Sequence, residues 1–260
     1  MHKHLRPARA AGPKLQAALS RFFVPGNLSP GATHNLPDAA AHHAARVLRL
    51  TAGSQVVLFN GEGLEFAGEI TRIGKDHVSV KLGPPRETSA ESPLAVTLVQ
   101  GVSARERMDY TLQKAVELGV AEIFPVETRR SVVRLAHERA SRRVEHWQGV
   151  VVAACEQSGR TRVPKVNPIT GLADWLGAHR AASDSLRVML SPGADARLRD
   201  LAPSADITLL AGPEGGFEPE ELEIAQSCKF TPVRLGPRIL RTETAALAAL
   251  AAMNCLWGDY

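Results

Sequence analysis

Short apolar runs alternate with longer amphipathic segments along residues 94–256, and this alternation constrains the fold more than any other feature of the chain. The runs predict strands at 94–100, 122–126, 187–190, 206–211 and 231–235. The amphipathic segments predict helices at 105–118, 138–155, 219–228 and 242–256. Strands and helices in alternation are typical of an α/β domain with a mainly parallel sheet. We therefore predict that residues 94–260 form such a domain.

The preceding residues have a different pattern. Between residues 21 and 83, short alternating runs are separated by glycines and include one helical segment near 38–50, which predicts a small antiparallel barrel or sheet. Residues 84–93 are polar and proline-rich and are interpreted as a linker. Residues 1–20 lack steady periodicity, so we interpret them as a basic mobile arm.

Composition excludes several classes of protein. The chain is 44% hydrophobic and 22% charged, which is ordinary for a globular protein. It has neither a run of apolar residues long enough to span a membrane nor a secretory signal, so we expect a soluble cytoplasmic protein. Cys155, Cys228 and Cys255 match no disulfide or zinc pattern, and we expect them to be reduced and mostly buried. His42 and His43 lack a second set of ligands, so no metal is expected.

Positive charge is concentrated in one part of the α/β segment. The net charge is +4 overall, but residues 129–165 alone contain nine Arg or Lys against three Glu. Such a stretch favours a polyanionic partner, nucleic acid above all, although a solvated helix face would have the same composition. The candidate RNA contacts in it are Arg129, Arg130 and Arg162.

Two glycine-containing loops follow predicted strands, where ligands collect in open α/β sheets. The first, GPEGG at 212–216, precedes a helix opened by Pro219, and the second, LGPRIL at 235–240, precedes a helix near Thr242. Glycine lets a ligand approach the backbone, but a tight turn alone would also require it. Neither loop is a Walker or GxGxxG motif, which argues against an NTPase or a Rossmann-type dinucleotide enzyme.

A third polar loop, EQSGRTR, contains Arg160 and Arg162 at the end of a predicted helix. Two guanidinium groups on such a loop can hold phosphates or a developing anion. They can equally serve as cations at a helix C-terminus.

Taken together, these motifs resemble one known family. The order LVQGVSARERMDYTLQKAVELGVAEIFPVETRRSVVR, ACEQSGRTRVP, LLAGPEGGFEPEEL and LGPRILRTETAALAAL is similar to that of the RsmE family of 16S ribosomal RNA uridine N3-methyltransferases. RFFVP and HHAARVLRL also resemble that family's N-terminal domain. The resemblance covers about residues 21–256.

The resemblance implies a SPOUT methyltransferase with a C-terminal trefoil knot, preceded by a PUA-like β-barrel that helps to hold RNA. It implies S-adenosylmethionine as the cofactor, a homodimer whose subunits both contribute to each active site, and 16S rRNA as the substrate, within the assembled 30S subunit. Matching by motif, the residues expected to line the cofactor pocket are Leu190, Gly212, Gly215, Gly216, Leu235, Gly236, Ile239 and Leu240.

Methylation at uridine N3 requires loss of the N3 proton, so the site must stabilise an anionic base. Arg160 is the leading candidate for that role and Arg241 the second. Glu243 is a candidate proton acceptor, although bulk water, or a purely structural role for Glu243 at the helix start, would serve equally well. The competing hypothesis is a non-catalytic rRNA-binding protein in which the glycine loops are only turns. A nucleotide-dependent enzyme would require a phosphate-binding motif that the sequence lacks.

Overall fold

The computed structural model describes residues 19–74, 77–88, 90–104, 106–131, 137–179 and 185–260. The arm predicted at 1–20 falls outside this description except for its last two residues. No helix within the described ranges is long and apolar enough to cross a membrane.

The N-terminal part is a five-stranded sheet with one helical segment. Its elements are β1 (Ser20–Phe23), β2 (Thr33–Asn35), α1 (Asp38–His42) followed by a π-helical turn (His43–Val47), β3 (Gln55–Phe59), β4 (Leu64–Ile73) and β5 (Val78–Glu87). The strand order is β1-β3-β4-β5-β2. A core that includes Phe22, Leu58 and Ile70 lies under α1.

The expectation of a purely antiparallel sheet was wrong for one pair, because β1 runs parallel to β3. A parallel pair needs a long crossover, and the connection between these strands contains β2 and α1. The predicted linker was also wrong over 84–87. Strand β5 continues through Pro84 and Pro85 and stays paired with β4 as far as Glu87. Strand β2 pairs with β5 only at residues 79–81. The outer edge of β5 at Pro84 and Pro85 therefore does not need the backbone N–H groups that proline lacks.

The C-terminal part is the predicted α/β domain. Its elements are β6 (Ala95–Gly101), α2 (Glu106–Glu117), β7 (Val120–Glu127), α3 (His137–Ser158), β8 (Lys165–Val166), β9 (Thr170–Gly171), α4 (Leu172–Ala178), β10 (Leu186–Leu190), a 3-10 turn (Leu198–Asp200), β11 (Asp206–Ala211), α5 (Pro219–Ser227), β12 (Thr231–Val233) and α6 (Thr242–Trp257). The sheet order is β12-β10-β11-β6-β7-β8, and β9 also pairs with β7. Every pairing in this sheet is parallel, which confirms the predicted sheet type.

Helix α6 buries one stripe at helical spacing, which includes Ala246, Ala249, Leu250 and Met253. It packs against α2 and β11 in the middle of the domain, although the preceding strand β12 is at the sheet edge. The chain therefore returns past β10 between residues 234 and 241, and this return builds one wall of the site described below.

The two parts of the chain are joined by partly buried polar contacts. The backbone N–H of Phe23 donates to the Glu156 carboxylate on α3 at 2.9 Å. The Arg21 guanidinium donates to the carbonyl of Arg160 at 3.2 Å. Burial raises the pKa of the Glu156 carboxyl, and the Phe23 N–H opposes this rise only in part. Strand β1 is thus fixed to the α/β domain.

The three cysteines form no disulfide. Cys155 is buried, and burial raises the pKa of its thiol to about 12. Cys228 is half-buried, whereas Cys255 is exposed, so the expectation of buried cysteines was wrong for Cys255.

Candidate functional site

A cavity lies where the carboxyl ends of β10, β11 and β12 meet. Its volume is about 550 Å³, which is within the range of small-molecule sites. The two glycine-containing turns form its walls, the first between β11 and α5 and the second between β12 and α6. All eight residues predicted to line a cofactor pocket line this cavity: Leu190, Gly212, Gly215, Gly216, Leu235, Gly236, Ile239 and Leu240. Ile239 does so with 86% of its surface exposed, so it belongs to the rim.

The first turn requires glycine for two different reasons. A side chain on Gly212 would lie 3.2 Å from the Phe217 ring and 3.3 Å from the Cα of Gly216. Gly216 has open space around it but a φ of +69°, a conformation that side chains with a Cβ rarely adopt. Its N–H donates to the carbonyl of Pro213 at 2.9 Å and closes the turn. The backbone is therefore exposed toward the cavity in a fixed shape.

A buried hydrogen-bond network joins the two turns. Thr242, at the start of α6, donates its hydroxyl proton to the carbonyl of Gly212 at 2.6 Å. The Gln100 amide, at the end of β6, donates to the Thr242 hydroxyl at 3.2 Å and to the Gly212 carbonyl at 3.3 Å. Gln100 and Thr242 are both buried. Sequence reasoning placed Thr242 only near the start of a predicted helix and missed Gln100, whose significance depends on contacts with residues more than a hundred positions away.

Two carboxylates line the cavity, and each has a buried oxygen without a hydrogen-bond partner among the described residues: Glu214 Oε2 and Glu243 Oε2. The other oxygen of Glu214 accepts from the N–H of Ala104 at 2.9 Å and from Arg107 at 3.1 Å. Burial raises the pKa of the Glu214 carboxyl, but these donors more than compensate, and the net shift is downward. Glu214 was not identified from the sequence as a site residue.

Within the described ranges, five arginines also line the cavity: Arg107, Arg130, Arg234, Arg238 and Arg241. Arg241 is the residue before the first turn of α6, and it is exposed. Its guanidinium makes no hydrogen bond or ion pair with the part of the chain that the structure describes. Arg241 and Glu243, both predicted from the sequence as catalytic, are therefore brought to the same wall of the cavity.

The prediction that Arg160 is the leading catalytic residue is corrected by its position. Arg160 does not line the cavity and is only 5% exposed. Its guanidinium donates to Glu91 at 2.9 and 3.0 Å and to the carbonyls of Val116 and Val120 at 3.0 and 2.7 Å. These contacts leave no accessible face for a base. We therefore assign Arg160 a structural role.

The three predicted RNA contacts lie in different places. Arg129 pairs with Glu220 at 3.3 Å. Arg130 makes a two-pronged contact with Glu218 at 2.8 and 3.2 Å, which raises the pKa of Arg130, and it also donates to the carbonyl of Gly215. Arg162 is exposed beside the N-terminal sheet, where its backbone bridges Gly61 and Glu62. Residues 132–136 of the same basic segment lie outside the described ranges.

Comparisons with known proteins agree with this architecture. Residues 90–254 match the family model described as an RNA methyltransferase domain, and residues 36–83 match the RNA methyltransferase PUA domain. The ribosomal RNA small subunit methyltransferase E of Rickettsia conorii is 30% identical over 91% of this chain and 96% of its own length. The same enzyme of Bacillus subtilis is 28% identical, also over 91% and 96%.

Two solved structures are similar over nearly the whole chain. The ribosomal RNA small subunit methyltransferase E from Neisseria gonorrhoeae, bound to S-adenosyl methionine, is 42% identical, with a TM-score of 0.87 over 94% of this chain and 100% of that one. A putative methyltransferase from Legionella pneumophila, in complex with the cofactor SAM, is 37% identical, with a TM-score of 0.89 over the same shares. This chain belongs to the RsmE family of RNA methyltransferases, with a PUA domain preceding the methyltransferase domain.

Proposed function

We propose that the protein binds S-adenosylmethionine in the cavity between the two glycine turns and methylates N3 of a uridine in 16S rRNA of the small ribosomal subunit. The observation that carries the proposal is the convergence of all eight predicted cofactor residues with Arg241 and Glu243 on one cavity. Relatives similar over about nine-tenths of the chain are named small subunit methyltransferases, and two similar solved methyltransferases hold this cofactor.

The residues present fit this cofactor. The volume of about 550 Å³ accommodates a nucleoside-sized ligand, and the open backbone at Gly216 and Gly236 permits close approach. Leu190, Leu235 and Leu240 supply apolar walls. The unpartnered Oε2 of Glu214 is an acceptor for a donor group on the cofactor. When bound, S-adenosylmethionine supplies an electrophilic methyl group on a sulfonium and leaves as S-adenosylhomocysteine.

Arg241 and Glu243 perform the proton chemistry in this proposal. The uridine N3–H bond breaks, and its proton passes to the unpartnered Oε2 of Glu243. The guanidinium of Arg241 donates to a uracil carbonyl and stabilises the negative charge that forms on the base. The N3 lone pair would then bond to the methyl carbon that the bound cofactor supplies, and the electron pair of the former carbon–sulfur bond would stay with sulfur. Both residues are attached to a wall that the Thr242 network joins to the first glycine turn, so the backbone of the wall needs little reorganisation.

The trefoil knot and the homodimer are also part of this proposal. The return of the chain from edge strand β12 to central helix α6 is consistent with a SPOUT trefoil knot, which short connections rarely form.

Leu256 and Tyr260 at the end of α6 are 45% and 63% exposed, and a second copy of the chain would cover them. We propose a homodimer, and light scattering that gives the mass of one chain at micromolar concentration would refute it. A 30S substrate places the enzyme in the cytoplasm.

One pair of measurements tests the function. Calorimetry of the purified protein with S-adenosylmethionine should give a dissociation constant near 1 µM, about −8 kcal/mol. Incubation with 30S subunits from a strain that lacks the gene, followed by nucleoside mass spectrometry, should show one new 3-methyluridine. Undetectable cofactor binding by folded protein would favour the non-catalytic rRNA-binding alternative. Methylation of another base or atom would refute the uridine N3 assignment alone.

A further inference from the structure

The arginines around the cavity differ in whether a carboxylate neutralises them. Arg107 pairs with Glu214 at 3.1 Å, and Arg130 pairs with Glu218 at 2.8 Å. Arg234, Arg238 and Arg241 form no such pair with any described residue, although all three are exposed and line the cavity. Among the described arginines that line the cavity, those without a carboxylate partner therefore all lie in the loop between β12 and α6.

This loop is held in place at both ends. The backbone N–H of Arg234 donates to the carbonyl of Ala196 at 3.0 Å. At the other end, the carbonyl of Arg241 accepts from the N–H of Ala245 at 2.8 Å as α6 begins. Between them, Gly236 has a φ of +98°, and Pro237 restricts its own φ. The guanidinium groups of Arg234 and Arg238 thus extend from an anchored backbone.

We propose that Arg234 and Arg238 bind the phosphates of the RNA strand on either side of the nucleotide that enters the cavity. This inference rests on the proposed function, because it takes the cavity as the place where the base reacts. A guanidinium without a carboxylate partner gains the full benefit of a phosphate contact and of counterion release. Ile239, 86% exposed in the same loop, offers an apolar surface to a ribose or base. Charge next to an exposed aliphatic group fits a nucleotide strand better than a free anion.

The inference changes the predicted RNA contacts. Arg129 and Arg130 already have carboxylate partners, so a phosphate there would have to displace Glu220 or Glu218. The net charge of such a pair is zero, and its contribution to salt-dependent binding is correspondingly small. We expect the loop arginines to contribute more RNA affinity than these paired arginines on the neighbouring surface.

The test compares two double variants of the full-length protein that remove the same charge. The rim variant is Arg234→Gln/Arg238→Gln. The matched control is Arg129→Gln/Arg197→Gln, in which both arginines are exposed, paired with an acid, and outside the cavity. Binding to a 12-nucleotide oligouridylate is measured between 50 and 300 mM salt, and KM is measured for unmodified 30S subunits.

For the rim variant we expect the slope of log K against log salt to fall in magnitude by about 1.4, and affinity at 0.1 M salt to fall about 25-fold. The control should keep the wild-type slope. Arg234→Lys/Arg238→Lys should retain most of the slope, because the charge remains. Circular dichroism of each variant verifies its fold.

Equal slope changes in the rim and control variants would overturn the inference. An unchanged RNA slope combined with lost affinity for S-adenosylmethionine would assign these arginines to the cofactor, and lost dimerisation would assign them to a second copy of the chain. Failure of the proposed function is distinguishable, because the wild-type protein would then neither bind S-adenosylmethionine nor methylate 30S subunits.

Discussion

Arg160 provides a sharp test of the structural argument, because the sequence and the structure assign it different roles. Its side chain is 6% exposed and its partner Glu91 is 21% exposed. Removal of one member of a buried ion pair costs about 3–5 kcal/mol. Glu91 would keep the N–H groups of Thr161 and Arg162 at 2.8 and 2.9 Å, so we expect the lower end of that range for Arg160→Ala. That corresponds to a decrease in Tm of about 6–12 °C.

Differential scanning fluorimetry and urea unfolding measure this loss, with Arg162→Ala as the control in the same loop. Arg162 is exposed, and its substitution should change the free energy of unfolding by less than about 1 kcal/mol. The affinity of Arg160→Ala for S-adenosylmethionine should stay within about threefold of wild type at a temperature where the variant is folded, since Arg160 does not line the cavity. A variant with wild-type Tm and a methylation rate at least about 100-fold lower in single turnover would refute this reasoning and restore the catalytic assignment.

Three further outcomes follow from the structure. Thr242→Val removes the donor to the Gly212 carbonyl and should weaken S-adenosylmethionine binding about tenfold in calorimetry, or about 1.4 kcal/mol, and unchanged affinity would contradict the network. Gly216→Val should lose measurable binding through backbone strain at its positive φ, whereas Gly216→Asn, which tolerates that conformation, should retain it. Burial raises the pKa of Glu156 in the folded state, so the ionised carboxylate lowers the stability of the protein as the pH rises above 4.5. Glu156→Gln should therefore raise Tm at pH 7, and this gain should shrink toward pH 4.5. A gain that does not depend on pH would rule out titration of Glu156 as its cause.

The parallel sheet and the cavity could be predicted because their signals are local. The strand at 206–211 was placed at its observed boundaries, and the other four predicted strands lie within about two residues of theirs, whereas the short strands β8 and β9 were not predicted. The carboxyl ends of parallel strands meet at one edge, so locating two glycine turns after strands was sufficient to bring their residues together.

Elements with weak local signals were missed. Helix α4 has seven residues and buries Leu172, Trp175 and Leu176, a stripe too short to distinguish from a loop. The extension of β5 through Pro84 and Pro85 was missed because proline normally argues against a strand. At those positions the outer edge of β5 does not pair with β2, and this makes the prolines acceptable there. The arrangement of the strands depends on the tertiary structure, and no local sequence pattern shows it.

The role of a charged side chain depends even more strongly on partners that are distant in sequence. Arg160 and Arg241 both follow recognisable motifs, yet Glu91, which lies 69 residues from Arg160 in sequence, determines that Arg160 is buried and engaged. Arg130 is similarly neutralised by Glu218, 88 residues away. A motif therefore predicts that a guanidinium is present at a loop, whereas its availability to a substrate is decided by whether the fold brings a carboxylate to it. By that criterion the arginines left for RNA chemistry at the cavity are Arg234, Arg238 and Arg241, none of which has an acidic partner among the described residues.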